Sequence, residues 1–218
     1  MKKLLPFVLC AVLLFVLAAC SGGNGTSTGG EASPAPSESQ ESTQQAQSAD
    51  TQPEETEPEA GGTLIAYFSW SGNTEAMARL IQQETGGDLF EIAPAVPYTD
   101  DYNELLDIAR QEQSENARPE LAAQVENWES YDTVFVGYPD WWSDAPMLIY
   151  TFLESYDWTG KTLIPFCTSG GSGFGRSLNN LEASAPGASI LDGLHVRGDA
   201  VENSAGEVSD WIAGLEQN

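Results

Sequence analysis

A doubly wound α/β sheet is the fold class that residues 63–218 predict, and three observations carry that reading. Five apolar, β-branched or aromatic runs alternate with segments of helical periodicity. The central run, Asp132-Thr-Val-Phe-Val-Gly-Tyr138, is apolar enough to be buried on both faces, as a strand in the middle of a parallel sheet must be. The runs also end in loops rich in small, hydroxyl or aromatic residues. In such sheets ligands sit beyond the carboxyl ends of the strands, where the strand order reverses.

The first element is the stretch around which the rest is arranged. Thr63 to Phe68 reads as a strand, Ser69-Trp-Ser-Gly-Asn-Thr74 as a turn, and Met77, Leu80 and Ile81 as the buried face of a helix that Gly86-Gly87 closes. The first amides of such a helix have no internal partner and the helix dipole is positive there. Ser69, Ser71, Gly72, Asn73 and Thr74 therefore read either as an ordinary capped helix start or as a cradle for a phosphate. The absence of lysine excludes a nucleoside triphosphatase loop, and G-x-G-x-x-G is missing.

Further along, Asp88 to Ile92 predicts a short second strand, and 101–116 a helix presenting Leu105, Leu106, Ile108 and Ala109. Leu121 to Trp128 adds a helical turn or two. Pro146 opens an apolar helix, Met147 to Leu153, and Gly160 turns the chain into a fourth strand, 161–167, in which Pro165 is awkward for an interior position. A glycine-rich loop and a short helix at 177–183 follow. The fifth strand is weakly marked, somewhere in 188–196. Ser204 and Glu207 form an S-x-x-E capping pattern ahead of the last helix, whose face is Val208, Trp211, Ile212 and Leu215.

Residues 1–62 are of another kind. Lys2 and Lys3 precede an apolar run from Leu4 to Ala19 that ends Leu17-Ala-Ala-Cys20. This resembles a bacterial lipoprotein signal, which implies a signal peptide at 1–19, lipidation of Cys20 and a protein held at the outer face of a membrane. Residues 20–62 lack aromatic residues and contain no basic ones, so they are expected to act as an acidic Ser/Pro/Gly-rich tether. The domain, 63–218, holds 25 acidic and 6 basic residues, a net charge of 6 − 25 = −19, which makes nucleic acid an unsuitable partner. Cys167 reads as a small packed hydrophobe and His195, the only histidine, as structural. No catalytic residue and no metal site is assigned.

Three loops follow the first, third and fourth strands. The third-strand loop carries Trp141 and Trp142, easier to stack on a planar ligand than to bury together. The fourth-strand loop has glycines at 170, 171, 173 and 175, which let backbone amides approach a ligand. Ser69-Trp-Ser-Gly-Asn-Thr74 resembles the flavodoxin phosphate loop. Gly137-Tyr-Pro-Asp-Trp-Trp142, Pro146, Gly160-Lys161 and Phe166-Cys-Thr-Ser-Gly-Gly171 resemble the flavodoxin-like group with a G-Y-P-x-W-W signature. The resemblance implies a parallel sheet of order 2-1-3-4-5 and non-covalent FMN. The phosphate would be held by Ser69, Ser71, Gly72, Asn73 and Thr74. The ring would lie between Pro139, Asp140, Trp141 and Trp142 on one side and Thr168, Ser169, Gly170, Gly171, Gly173 and Phe174 on the other. Phe174 stands where classical flavodoxins usually offer a stacking tyrosine. Asp140, Asp144 and Asp101 are expected at this end of the sheet, adding negative field.

The function so implied is electron transfer outside the cytoplasmic membrane, to a redox partner protein or a small acceptor. Two alternatives stay open: an NAD(P)H-dependent flavin or quinone reductase, and a binding lipoprotein on the same fold without a cofactor.

Overall fold

The computed structural model describes residues 61–215. The lipoprotein signal at 1–19, Cys20 and positions 20–60 of the expected tether lie outside the described residues. Strand β1 (Gly62–Tyr67) leads to helix α1 (Asn73–Thr85), followed by β2 (Asp88–Glu91), α2 (Tyr102–Glu115), β3 (Tyr131–Pro139) and α3 (Met147–Glu154). Strand β4 (Thr162–Ser169), α4 (Ser177–Ser184), β5 (Ser189–Ile190), β6 (Leu194–Arg197) and α5 (Ala205–Leu215) complete the chain. The named strand pairs are parallel and the order is β2-β1-β3-β4-β5, the doubly wound arrangement that the sequence predicts.

Alternation along the central strands divides the core between the two faces of the sheet. Ile65, Tyr67, Phe135, Ile164 and Phe166 pack with Met77, Ala78 and Ile81 of α1 and Val208 and Ile212 of α5. Leu64, Ala66, Val134, Val136, Tyr138 and Leu163 pack on the other face with Leu148, Ile149, Phe152 and Leu153 of α3 and Leu181 of α4. Both faces being covered, β3 reads as a continuous apolar run. At the amino end of β4 the buried Lys161 amine donates to the carbonyls of Tyr131, at 2.6 Å, and Trp128, at 3.2 Å.

The fifth strand is broken in two, and Pro165 supplies the reason. Ser189 and Leu191 donate their amides to the carbonyls of Lys161 and Leu163. Odd-numbered residues of β4 therefore turn their backbone polar groups towards β5, and Pro165 has no N–H to offer there. The neighbouring strand leaves the ladder at Leu191-Asp192-Gly193 and re-pairs at Phe166↔Leu194. A side chain at Gly193 would strike the Pro165 carbonyl oxygen at 2.5 Å. The proline is thus tolerated because it faces a strand that breaks beside it.

Two local expectations change. The segment after Leu121 is not an α-helix: Leu121 bridges Pro94, and only Trp128–Ser130 form a 3-10 turn. Glu120 and Ala93 carbonyls accept from Ala95 and Ala122, so extended pairing absorbs these backbone groups instead. The S-x-x-E box is not formed either, because the Ser204 hydroxyl donates to the Val201 carbonyl at 2.8 Å, within the 3-10 segment that precedes α5. Among the described residues no helix is long and apolar enough to cross a membrane.

Candidate functional site

The carboxyl ends of β1, β3 and β4 open into one cleft of about 660 Å³. That volume is in the range of small-molecule sites. Its base is formed by Pro139 and Asp140 after β3 and by Thr168, Ser169 and Gly170 at the end of β4. Ser71, Asn73, Arg197, Gly198 and Asp199 give it a polar lining. Trp70, Tyr102, Leu105, Leu106, Ala109, Trp141 and Trp142 give an aromatic and apolar one.

The polar side starts with the β1–α1 turn. Gly72 caps α1 with φ of 87°, a left-handed conformation that suits glycine, and no side chain caps the helix. Within the turn the Ser69 hydroxyl accepts the Gly72 amide at 3.1 Å. Thr74 is buried, and its hydroxyl shares a 2.8 Å hydrogen bond with that of Thr168. This bond ties the start of α1 to the end of β4. Ser71 and Asn73 are the residues of this turn that line the cleft with polar side chains.

In the β3–α3 loop the two tryptophans part company. Trp141 packs edge-on against Phe68 and Tyr98, with ring centroids 5.3 Å away in each case. Trp142 is 41 % exposed; its indole N–H donates to the Leu106 carbonyl and the Arg110 guanidinium lies 4.0 Å from its ring centre. Trp142 and Ser143 both have positive φ, 54° and 59°, which is costly for side chains of this kind. The surroundings hold them there. Trp141 and Asp144 exchange backbone hydrogen bonds, Arg176 donates its amide to the Ser143 carbonyl, and Gln113 donates to the Trp141 carbonyl at 2.7 Å.

Two carboxylates in this loop have different roles. Asp144 does not line the cleft. It is 3 % exposed and accepts from the Arg176 guanidinium at 2.7 Å, the Asn180 amide, the Ala145 N–H and the Tyr150 hydroxyl. It is paired with Arg176 inside a clamp joining the third- and fourth-strand loops rather than placed on the cleft wall. Gly175 belongs to the same joint, because a Cβ there would meet the Ser143 carbonyl at 2.3 Å. Asp101, expected nearby, caps α2 by accepting from the Asn103 and Glu104 amides. Asp140 does line the cleft. Its Oδ2 accepts from the Ser172 hydroxyl at 2.6 Å, while Oδ1 is buried without a hydrogen-bond partner among the described residues. Burial raises this carboxyl above the ordinary aspartate range, with the Ser172 hydroxyl and a Ser143 backbone contact opposing.

The fourth-strand loop contributes less than its glycines suggest. Gly170 lines the cleft, but Gly171, Gly173 and Phe174 do not, and the Phe174 ring turns inward to Tyr138, 6.4 Å between centroids. It therefore occupies no stacking position over the cleft. Cys167 is fully buried and burial pushes its thiol up, which suits a packed residue. His195 bonds through Nε2 to the Ser169 hydroxyl at 2.7 Å, fixing a residue of the cleft base.

Sequence reasoning missed Trp70, Tyr102, the α2 wall and Arg197 to Asp199. Trp70 stood inside the quoted turn and was readable as a ring beside it. Leu105 and Leu106 have the periodicity of a core face, and nothing local marks Arg197. The set of groups that line the cleft, hydroxyls, amides, indoles and the Asp140 carboxyl, suits a flat aromatic ligand with a polar tail.

The profile of the flavodoxin family matches residues 62–215. Among solved structures, a candidate flavoprotein of Bacteroides uniformis is 36 % identical, with a TM-score of 0.63 and 71 % of this chain and 99 % of that one covered. One of Bacteroides eggerthii is also 36 % identical, with a TM-score of 0.58 and coverage of 68 % and 98 %. A Lactobacillus acidophilus flavoprotein in complex with FMN is 26 % identical, with a TM-score of 0.55 and coverage of 67 % and 99 %. No protein of curated function matches the chain. The chain belongs to the flavodoxin family.

Proposed function

We propose that this flavodoxin binds FMN in the cleft and serves electron transfer at the outer face of a bacterial membrane, tethered through lipidated Cys20. The observation that carries the binding reading is the cleft itself, which an uncapped helix start, Ser71 and Asn73 line together with Trp70, Trp141, Trp142 and Asp140. The Lactobacillus acidophilus relative described in complex with FMN supports the choice of flavin.

When bound, FMN supplies one- and two-electron chemistry that no side chain here can perform. The protein's part is to hold and surround it. Ser71, Asn73 and the first amides of α1 would bind the phosphate. Trp70, Trp141 and Trp142 would exclude water from the ring, and Asp140 would meet its polar edge. Gly170 and Ser169 bring backbone close from the β4 end. Thr74 and Thr168 position the two loops through their shared hydrogen bond.

The Leu17-Ala-Ala-Cys20 motif supports the membrane tether, and the domain's charge of −19 favours a partner with a basic patch. The apolar α2 wall of Leu105, Leu106 and Ala109 favours a second reading, reduction of a flat organic acceptor such as a quinone in the same cleft. NAD(P)H oxidation that depends on added quinone separates it from simple electron carriage. The deciding experiment for the flavin is the absorbance spectrum of the purified full chain, before and after addition of FMN and gel filtration. Flavin bands co-eluting at one per chain are expected. A chain that stays colourless after FMN addition refutes the proposal.

A further inference from the structure

Five of the six basic side chains in 63–218 are engaged away from the cleft or on its outer wall. Arg79 pairs with Glu75, Arg118 with Glu154 and Arg176 with Asp144, Arg110 lies over Trp142, and Lys161 is buried on backbone carbonyls. Arg197 is the remaining one, and among the described residues it is the one basic side chain lining the cleft. Tertiary structure brings it there. The parallel register of β6 against β4 sets Arg197 beside Ser169, a residue of the cleft base, and the buried Val196 anchors the strand end. Gly198 then presses on loop one: a Cβ there would lie 2.6 Å from the Asn73 side-chain amide.

The orientation of the guanidinium matters as much as its place. Asp199 engages it side-on, with Nε donating to Oδ1 at 3.0 Å and Nη2 to Oδ2 at 2.9 Å. Nη1 is outside that pair and lies 3.5 Å from where a Cβ on Gly171 would stand. Three of the five N–H donors of the guanidinium, two on Nη1 and one on Nη2, are thus outside the bidentate pair with Asp199, on a side chain that lines the cleft.

We propose that Arg197 is the anion-recognising residue of this cleft, its free Nη1 edge set by Asp199 to receive the phosphate of the ligand that Ser71 and Asn73 bind. This rests on the FMN reading given above and adds a charged donor to a loop whose own residues are all uncharged. Arg197 reaches towards Gly171 while its neighbour Gly198 abuts the Asn73 side chain, and the guanidinium favours ligands carrying the anion, because without that anion it gains nothing on binding. The domain is acidic overall, so a local cation opposes the repulsion that an incoming phosphate meets.

The test is a fluorescence titration of the full chain, wild type and Arg197→Lys, Arg197→Ala and Arg197→Glu, with FMN and with riboflavin, at low and high ionic strength. FMN affinity should fall in that order, by about three- to tenfold for the alanine variant at low salt, with the difference shrinking at high salt. Riboflavin affinity should be the same in all four proteins. Equal losses for both ligands would assign Arg197 a purely structural role and overturn the proposal. FMN affinity unchanged in the alanine and glutamate variants would overturn it while leaving the flavin reading intact, whereas a wild-type chain that binds neither ligand would overturn both.

Discussion

Replacing Asp144 by alanine should unfold the joint between the two loops that frame the cleft, and the structure allows the size of the effect to be worked out. The carboxylate is 3 % exposed and serves four donors. Alanine would strand the Tyr150 hydroxyl and the Ala145 N–H in the core, at about 1 kcal/mol or more each, and the half-buried Asn180 amide at somewhat less. Arg176 adds little, since its side chain is 60 % exposed and returns to water. The total is about 3 kcal/mol, or a lowering of Tm by roughly 6–12 °C for a domain of this size. Arg176→Ala should be far milder, below about 1 kcal/mol, because Asp144 keeps its other three donors. Urea unfolding of the full chain followed by tryptophan fluorescence measures both. An Asp144→Ala protein within about 1 kcal/mol of wild type, or an Arg176→Ala protein equally damaged, would refute the reasoning.

Four further outcomes are expected. Burial raises the Asp140 carboxyl, so the folded state holds that proton more tightly than the unfolded chain. The stability it contributes is present below about pH 3.9 and is lost as pH rises through the higher folded value. Asp140→Asn should therefore gain stability relative to wild type across that rise, and parallel pH curves would contradict it. Trp141→Ala should cost about 1–3 kcal/mol through lost packing on Phe68 and Tyr98, while Trp142→Gly, which relieves a positive φ but loses the Leu106 hydrogen bond and the Arg110 contact, should change stability by less and weaken FMN binding; chemical denaturation with flavin titration reads both. Ser71→Ala should weaken FMN and spare riboflavin, whereas Thr74→Val, breaking the bond to Thr168, should lower stability by about 1 kcal/mol; a stability loss confined to Ser71→Ala would reverse these assignments. Cys20→Ser should abolish acylation, and intact-mass spectrometry of membrane-extracted protein finding an unmodified wild-type Cys20 would remove the proposed anchor.

Much of the architecture was legible because it rests on short-range chemistry. The β-branched run of β3, the 3-4 spacing of Met77, Leu80 and Ile81, the glycine that closes α1 and the proline that opens α3 act within a few residues, and each predicted its element to within a residue or two. The loop positions followed, since strands that alternate with helices in a parallel sheet must gather their carboxyl-end loops on one edge. That is why Ser71, Asn73, Pro139, Asp140, Trp141, Trp142, Thr168, Ser169 and Gly170 were expected together and line one cleft. What a side chain does once there depends on partners far away in sequence. Asp144 meets Arg176 across 32 positions, Thr74 meets Thr168 across 94, and both are withdrawn from the cleft by those bonds. Phe174 turns inward because Tyr138 offers it a packing partner, and Arg197 arrives because the fifth strand breaks opposite Pro165 and resumes in register with Ser169. Local patterns determine which elements form and where their ends gather. Burial and hydrogen-bond satisfaction, which involve the whole packed chain, decide which of the gathered groups remain open to a ligand.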